Sequence, residues 1–334
     1  MAKLNDVAER AGVSITTASM ALSGKGRISQ EIRNKVIEAA DKLEYKKNKP
    51  ANNKNWVLIL NMDRENDYLS YFFNPIIRHI QSSAREKGFI LSLLPISDKD
   101  SEESIYRDLM EMKISSVLAL QYVSVELFKK LELINIPCVV INNPTYQDEL
   151  FTVCVDDFQG AYEGTMKLIR AGHKNISCID YQREKLPGIL ADRFLGFRKA
   201  LEEHNLSFSE NSRLTVNILN NKEMENRIKE FILNSSPKTT ALFIHDDMMA
   251  LKVIKILEKL EIKVPDDISI IAPGDTLNYN QIGMPQISTM RIDNSLMGNY
   301  ATDMMIERIK KGSQNPHVLK IKQTYFNRNS IKNI

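Results

Sequence analysis

His245, Asp246 and Asp247 stand together at the end of the apolar run Ala241–Ile244. Two adjacent carboxylates beside an imidazole form a grouping that acid–base or metal chemistry can use. The surrounding sequence favours a plainer role. No further His, Cys or Glu falls at ligand spacing, and Asp247 opens a helical pattern over 247–260. There a carboxylate caps free backbone N–H groups and suits the helix dipole. A lone histidine is more often a structural hydrogen-bonding group than a ligand. Arg193 opens an Arg-x-x-Gly-Phe stretch, and its guanidinium can fork onto vicinal hydroxyls or a carboxylate. A nucleophile elbow, a phosphate-binding loop, a GxGxxG turn and zinc spacing are all missing. The expectation is therefore no catalytic residue, no metal and no cofactor. Cys138, Cys154 and Cys178 are odd in number, lack CxxC spacing and sit in apolar runs, as buried thiols in a reducing compartment would.

The densest pattern lies at the other end of the chain. Leu4, Val7, Ala8 and Ala11 recur at helical spacing and stop at Gly12. Ser14 can cap a second helix carrying Ile15, Ala18, Met20, Ala21 and Leu22, and Ser29 a third with Ile32, Val36, Ile37, Ala40 and Leu43. Capping serines and terminating glycines satisfy the orphan groups at helix ends. Small residues at the turn permit a tight helix–turn–helix, with the first turn of the second helix facing outward. Charge agrees: residues 1–54 carry 11 Lys and Arg against 6 Asp and Glu, a net of +5, on a chain whose total is +3. A basic head on a slightly acidic body suggests a polyanion partner for the head alone.

At 334 residues, 43% apolar and 26% charged, the chain has the make-up of a multidomain globular protein. No apolar run approaches the roughly 20 residues of a membrane span, and the start lacks a signal-peptide pattern. A cytoplasmic protein of the bacterial nucleoid is expected. A linker over 47–55, rich in Lys and Asn, separates the head (1–46) from a body (56–334). In the body short apolar strands alternate with amphipathic helices, which predicts an α/β fold of two lobes with doubly wound parallel sheets. The first lobe is expected over about 56–154 plus 290–316, the second over about 155–289 plus 317–334.

These residues resemble a known family. Asp6-Val7-Ala8, Ala11-Gly12-Val13-Ser14, Thr17-Ala18-Ser19, Leu22-Ser23-Gly24 and Ile28-Ser29 are similar to the headpiece of the lactose-repressor/galactose-repressor regulators, and Arg33 to Tyr45 continue the match. Val155-Asp156-Asp157, Gly172-His173-Lys174, Arg193 with Gly196-Phe197-Arg198, Asp246-Asp247 and Val264-Pro265-Asp266 resemble the periplasmic-binding-protein-like core of the same family. The resemblance implies a homodimeric repressor that binds a roughly palindromic double-stranded operator. A small sugar-like effector held between the two lobes would set its DNA affinity. By resemblance Ile15, Thr16 and Met20 face base edges; Ser14, Thr17, Ser19 and Ser29 meet phosphates; Ser23 and Arg27 lie near the groove rim. The implied effector contacts are Phe73, Gln121, Asn142, Arg193, Asp246 and Asp275.

Three departures qualify the match. Met20 stands where arginine is usual and cannot bond guanine bidentately. The linker carries Pro50 and no Leu, so it lacks the apolar wedge that would kink an operator. The usual sugar-binding aspartate position is Gly274, with Asp275 one residue on. A regulator with lost or altered effector response is thus a second reading. A solute-binding protein would need no helix–turn–helix, and an enzyme would need the missing catalytic motifs.

Overall fold

Three short helices open the chain in a computed structural model that describes residues 2–22, 28–43, 45, 54–61, 67–97, 99–182, 188–217, 220–312 and 315–334. They are α1 (Leu4–Ala11), α2 (Ile15–Leu22) and α3 (Gln30–Lys42). Gly12 ends α1 in the left-handed region at φ 67°, where a side chain would be strained. The Ser14 hydroxyl accepts from the Thr17 N–H at 3.0 Å, and Ser29 accepts from Ile32 at 3.4 Å, so both serines cap as their positions imply. At Lys3 the bond runs from its backbone N–H to the Asp6 carboxylate at 2.8 Å. Val7, Ala8, Ala18, Ala21, Leu22, Val36 and Ala40 are fully buried, or nearly so, and tie the three helices together.

The body follows with β1 (Asn55–Asn61), α4 (Asp67–Glu86), β2 (Ile90–Ile96), α5 (Glu102–Glu111), β3 (Ser116–Leu120), α6 (Val125–Leu133), β4 (Cys138–Ile141) and β5 (Thr152–Val155). Next come α7 (Asp157–Arg170), β6 (Ile176–Tyr181), α8 (Gly188–Glu203), β7 (Arg213–Val216), α9 (Asn221–Leu233), β8 (Ala241–Ile244), α10 (Asp247–Lys259) and β9 (Ser269–Gly274). The chain ends with β10 (Ser288–Arg291), α11 (Asn294–Lys311), β11 (Val318–Ile321) and β12 (Thr324–Phe326). Strand β1 pairs in parallel with β2 and β3, in a sheet ordered β11-β5-β4-β3-β1-β2. A second sheet is ordered β12-β10-β9-β8-β6-β7, all parallel except the antiparallel β10–β12 pair. Strands β3, β4 and β8 are buried without a break, as parallel strands covered on two faces must be.

Contacts divide the chain into two units. One holds Met1–Asn66, Ile76–Cys154 and Ser295–Leu319; the other holds Asp67–Pro75, Val155–Asn294 and Lys320–Ile334. The head belongs to the first unit, where the Tyr106 hydroxyl of α5 donates to the Leu22 carbonyl at 3.3 Å. Besides Asp67–Pro75, which falls in the second unit and not in the expected first lobe, two lobe boundaries differ from the sequence expectation. Strand β10 extends to Arg291 within the second sheet, and β11 adds to the first sheet beside β5. Hydrogen-bond pairing, which hydropathy along the chain does not report, decides both. Helix α4 carries Pro75 inside it.

The three cysteines are buried and none is in a disulfide. Among the described residues no helix is long and apolar enough to cross a membrane, and no cluster of His, Cys, Asp and Glu could hold a metal ion. The linker 47–55, including Pro50, lies almost wholly outside the described residues.

Candidate nucleic-acid interface and polar cluster

Helix α2 buries Ala18, Ala21 and Leu22 and turns a different side outward. Ser14, Ile15, Thr16 and Met20 are exposed, while Thr17 and Ser19 are half-buried. Ile15 keeps 51% of its surface and Met20 39%. These two apolar side chains stand out from a short helix whose other side is buried. Between them Thr16 adds a hydroxyl and a methyl, and at the helix start the Ser14 and Thr17 hydroxyls lie 2.8 Å apart. This outer face is apolar and hydroxylic with no carboxylate, which suits thymine methyls, base-edge donors and phosphate oxygens. Ser29 is exposed at the start of α3. Ser23 and Arg27 lie outside the described residues.

In the second unit the strand ends build a polar cluster around Arg193, which α8 presents on its buried side. Its Nε donates to Asp157 Oδ1 at 2.7 Å, and Nη1 donates to the His245 carbonyl at 2.6 Å. Nη1 also lies 3.3 Å from His245 Nε2. Arginine only donates, so Nε2 accepts and the ring proton sits on Nδ1, which is 2.9 Å from Asp180. Arg213 reaches the other oxygen of Asp180 at 2.8 Å. Burial alone would raise the Asp180 pKa, yet His245 and Arg213 outweigh it and hold the carboxyl below its ordinary value. Burial likewise works against the Arg193 charge, but Asp157 prevails and keeps the guanidinium firmly protonated.

The neighbouring carboxylates divide the work. Asp246 caps α10 through the Met249 N–H at 2.7 Å and accepts from the Tyr181 hydroxyl at 2.5 Å. Asp247 is fully buried and accepts from the Thr276 N–H at 2.6 Å, the Thr276 hydroxyl at 2.7 Å and the Leu277 N–H at 3.1 Å. The cap therefore sits one residue earlier than the sequence suggests: Asp246 holds the helix, and Asp247 anchors the loop after β9. Burial, and then the charge of Asp246, push the Asp247 pKa up to about 6. A Cβ at Gly274 would stand 2.6 Å from Asp247 Oδ1, so this position excludes the aspartate usual in such proteins.

Asp275 is committed elsewhere. It accepts from Arg291, from Arg328 at 2.5 Å and from the Thr289 hydroxyl at 3.3 Å. In this position it clamps two arginines. In the first unit Gln121 and Asn142 close β3 and β4 with positive φ, 55° at each, and adjoin through Asn143, whose amide donates to the Gln121 carbonyl at 3.1 Å. Phe73 is half-buried, edge-on to Phe72 at 5.6 Å. Asp157, Asp180, Arg213 and Tyr181 were not singled out as site residues from the sequence. The one available signal was a charged or polar residue at or just after successive strand ends.

Residues 3–48 match the family described as bacterial regulatory proteins, lacI family, and residues 165–331 match the periplasmic binding protein-like domain. The HTH-type transcriptional repressor PurR of Pectobacterium carotovorum is 28% identical over 342 residues, covering 99% of this chain and 97% of that protein. Its counterpart in Vibrio campbellii is 27% identical and covers both chains fully. Among solved structures, the transcriptional regulator CelR–cellobiose complex superposes with a TM-score of 0.72 at 21% identity, covering 99% of this chain and 100% of that one. The lac repressor dimer bound to operator and the anti-inducer ONPF gives 0.69 at 18% identity, with 99% of each chain covered. Head and body match together and in this order, and the chain belongs to the lacI family of bacterial regulatory proteins.

Proposed function

We propose that the protein is a cytoplasmic, homodimeric transcriptional repressor that binds a roughly palindromic operator and changes its DNA affinity when a small metabolite binds its body. The observation that carries the DNA-binding part is the outer face of α2. Ile15, Thr16 and Met20 are exposed there on a helix whose other side is locked into the three-helix core. That helix has the length and exposure to enter a major groove, with Ser14 and Ser29 beside it for phosphates. Fluorescence anisotropy of the full chain on a bound genomic fragment tests the assignment. Affinity should fall steeply as salt rises, because neutralised phosphates release counterions. Thr16→Ala should reduce discrimination between operator and altered operator by roughly 1–3 kcal/mol. Salt-independent binding, or unchanged discrimination, would count against it.

For the effector, Arg193 and Asp246 of the second unit are the residues we assign to ligand contact, with Gln121, Asn142 and Phe73 as further candidates. A guanidinium pinned by Asp157 and His245 is a preorganised donor, and preorganised donors bind without first paying to be ordered. Gly274 removes the carboxylate usual at that position, while Asp246 still offers one. The effector we infer is a sugar-like or related polar metabolite. Heating the protein with candidate metabolites checks this: one that raises the unfolding temperature should also shift operator affinity, by thermodynamic linkage.

A further inference from the structure

Beyond the Arg193 cluster, the second unit has a cavity of about 400 Å³ lined by Asp275, Tyr279, Arg291, Phe326 and Arg328, with the amides of Asn278 and Gln286 on its wall. Two guanidiniums meet one carboxylate here, leaving a surplus of one positive charge. Arg328 is engaged through both terminal nitrogens: it donates to the Ile287 carbonyl at 3.2 Å, to the Thr289 hydroxyl at 3.1 Å and to Asp275. It also lies over the Tyr279 ring at 3.8 Å. Arg291 differs, because only its Nε is engaged, with Asp275. Among the described residues its two terminal nitrogens have no hydrogen-bond partner, and its side chain is 43% exposed. Phe326 lies 4.2 Å from Arg291 and 4.3 Å from Arg328, and keeps 41% of its surface open.

We propose that this cavity binds a small carboxylate carried on a flat apolar body, at a site distinct from Arg193. The two terminal nitrogens of Arg291 form the edge of a guanidinium that meets a carboxylate with two parallel hydrogen bonds. One surplus positive charge matches a monoanion; a phosphate dianion would be left half-compensated. Phe326 and Tyr279 offer the aromatic surface that an apolar ring or chain would cover. Asp275 and Arg328 hold Arg291 and Phe326 in place, so little order has to be created on binding. Tyr279 also donates to Asp247 at 3.3 Å, so the cavity wall is one hydrogen bond from the residue that anchors the loop after β9.

Titration calorimetry of the full chain with benzoate, and separately with inorganic phosphate, tests this. Benzoate should saturate one site with a dissociation constant of roughly 1 mM or tighter, and phosphate should bind at least tenfold more weakly. Arg291→Gln and Phe326→Leu should each weaken benzoate tenfold or more while the unfolding temperature stays near that of the wild type. Arg193→Lys should leave benzoate affinity unchanged. The proposal is overturned if benzoate does not saturate, if phosphate binds better, or if both Arg291→Gln and Phe326→Leu bind as tightly as wild type. Loss of benzoate binding in Arg193→Lys alone would move the anion to the other arginine and equally overturn it. Should Arg291→Gln unfold, Phe326→Leu still decides, since it keeps every charge.

Discussion

Asp247 is the residue whose environment has the clearest consequence for solution behaviour. Its carboxyl is buried beside Asp246, with a pKa near 6 against an ordinary value of 3.8. A raised carboxyl pKa means that the folded state holds a proton the unfolded state releases. The stabilisation is fully present below pH about 4 and is lost as pH rises through 6. Two pKa units correspond to about 3 kcal/mol. Asp247→Asn should flatten the fall in stability between pH 4 and pH 7, as read from urea midpoints. An unchanged slope would show that the proton resides elsewhere. Arg193 is a different case, since it is 8% exposed and ion-paired to an Asp157 that is 2% exposed. Arg193→Ala leaves that carboxylate buried and unpaired, and should lower stability by about 3–5 kcal/mol. Loss of effector response in this variant is therefore informative only beside Arg193→Lys, which keeps the charge. A melting curve for Arg193→Ala equal to that of the wild type would refute the burial argument.

At the scale of elements, α7 packs tightly on α8. A Cβ on Gly196 would stand 2.2 Å from the Phe158 carbonyl oxygen and 3.0 Å from the Tyr162 nitrogen. Both are backbone atoms and cannot swing away. Gly196→Ala should consequently destabilise by at least 1–3 kcal/mol, the usual penalty of overpacking, visible as a lower thermal midpoint. Which elements the sequence made legible follows from the range of the forces involved. Helices α1 to α3 were readable because Gly12, Ser14 and Ser29 act within three or four residues. Strands Cys138–Ile141, Ala241–Ile244 and Val318–Ile321 were readable as apolar runs between helices. Strand β12 was not, since Thr324–Phe326 is three residues long with alternating exposure and exists only by pairing with β10. The Arg193 cluster was hidden for the same reason. Asp180 and His245 are 65 positions apart and meet only after β6 and β8 pair. Asp275 looked free to replace a missing aspartate at 274, because nothing nearby announces Arg328, 53 residues on.

At the scale of the whole molecule, the charge asymmetry, the exposed face of α2 and the two-unit body belong to one arrangement: a basic reader attached to a metabolite-binding body. In the function proposed above, the charge carries the non-specific attraction to DNA, and the few groups on α2 carry the sequence preference. A homodimer presents two such readers related by a two-fold axis, and its preferred DNA must share that symmetry. Selection of random double-stranded DNA by the purified full-length protein, followed by sequencing, tests this most directly. The account predicts enrichment of an inverted repeat whose half-sites lie about one helical turn, roughly 10 bp, apart, with Thr16→Ala relaxing the preference within each half-site. Recovery of no motif, or of a single unrepeated motif that Thr16→Ala leaves unchanged, would contradict it.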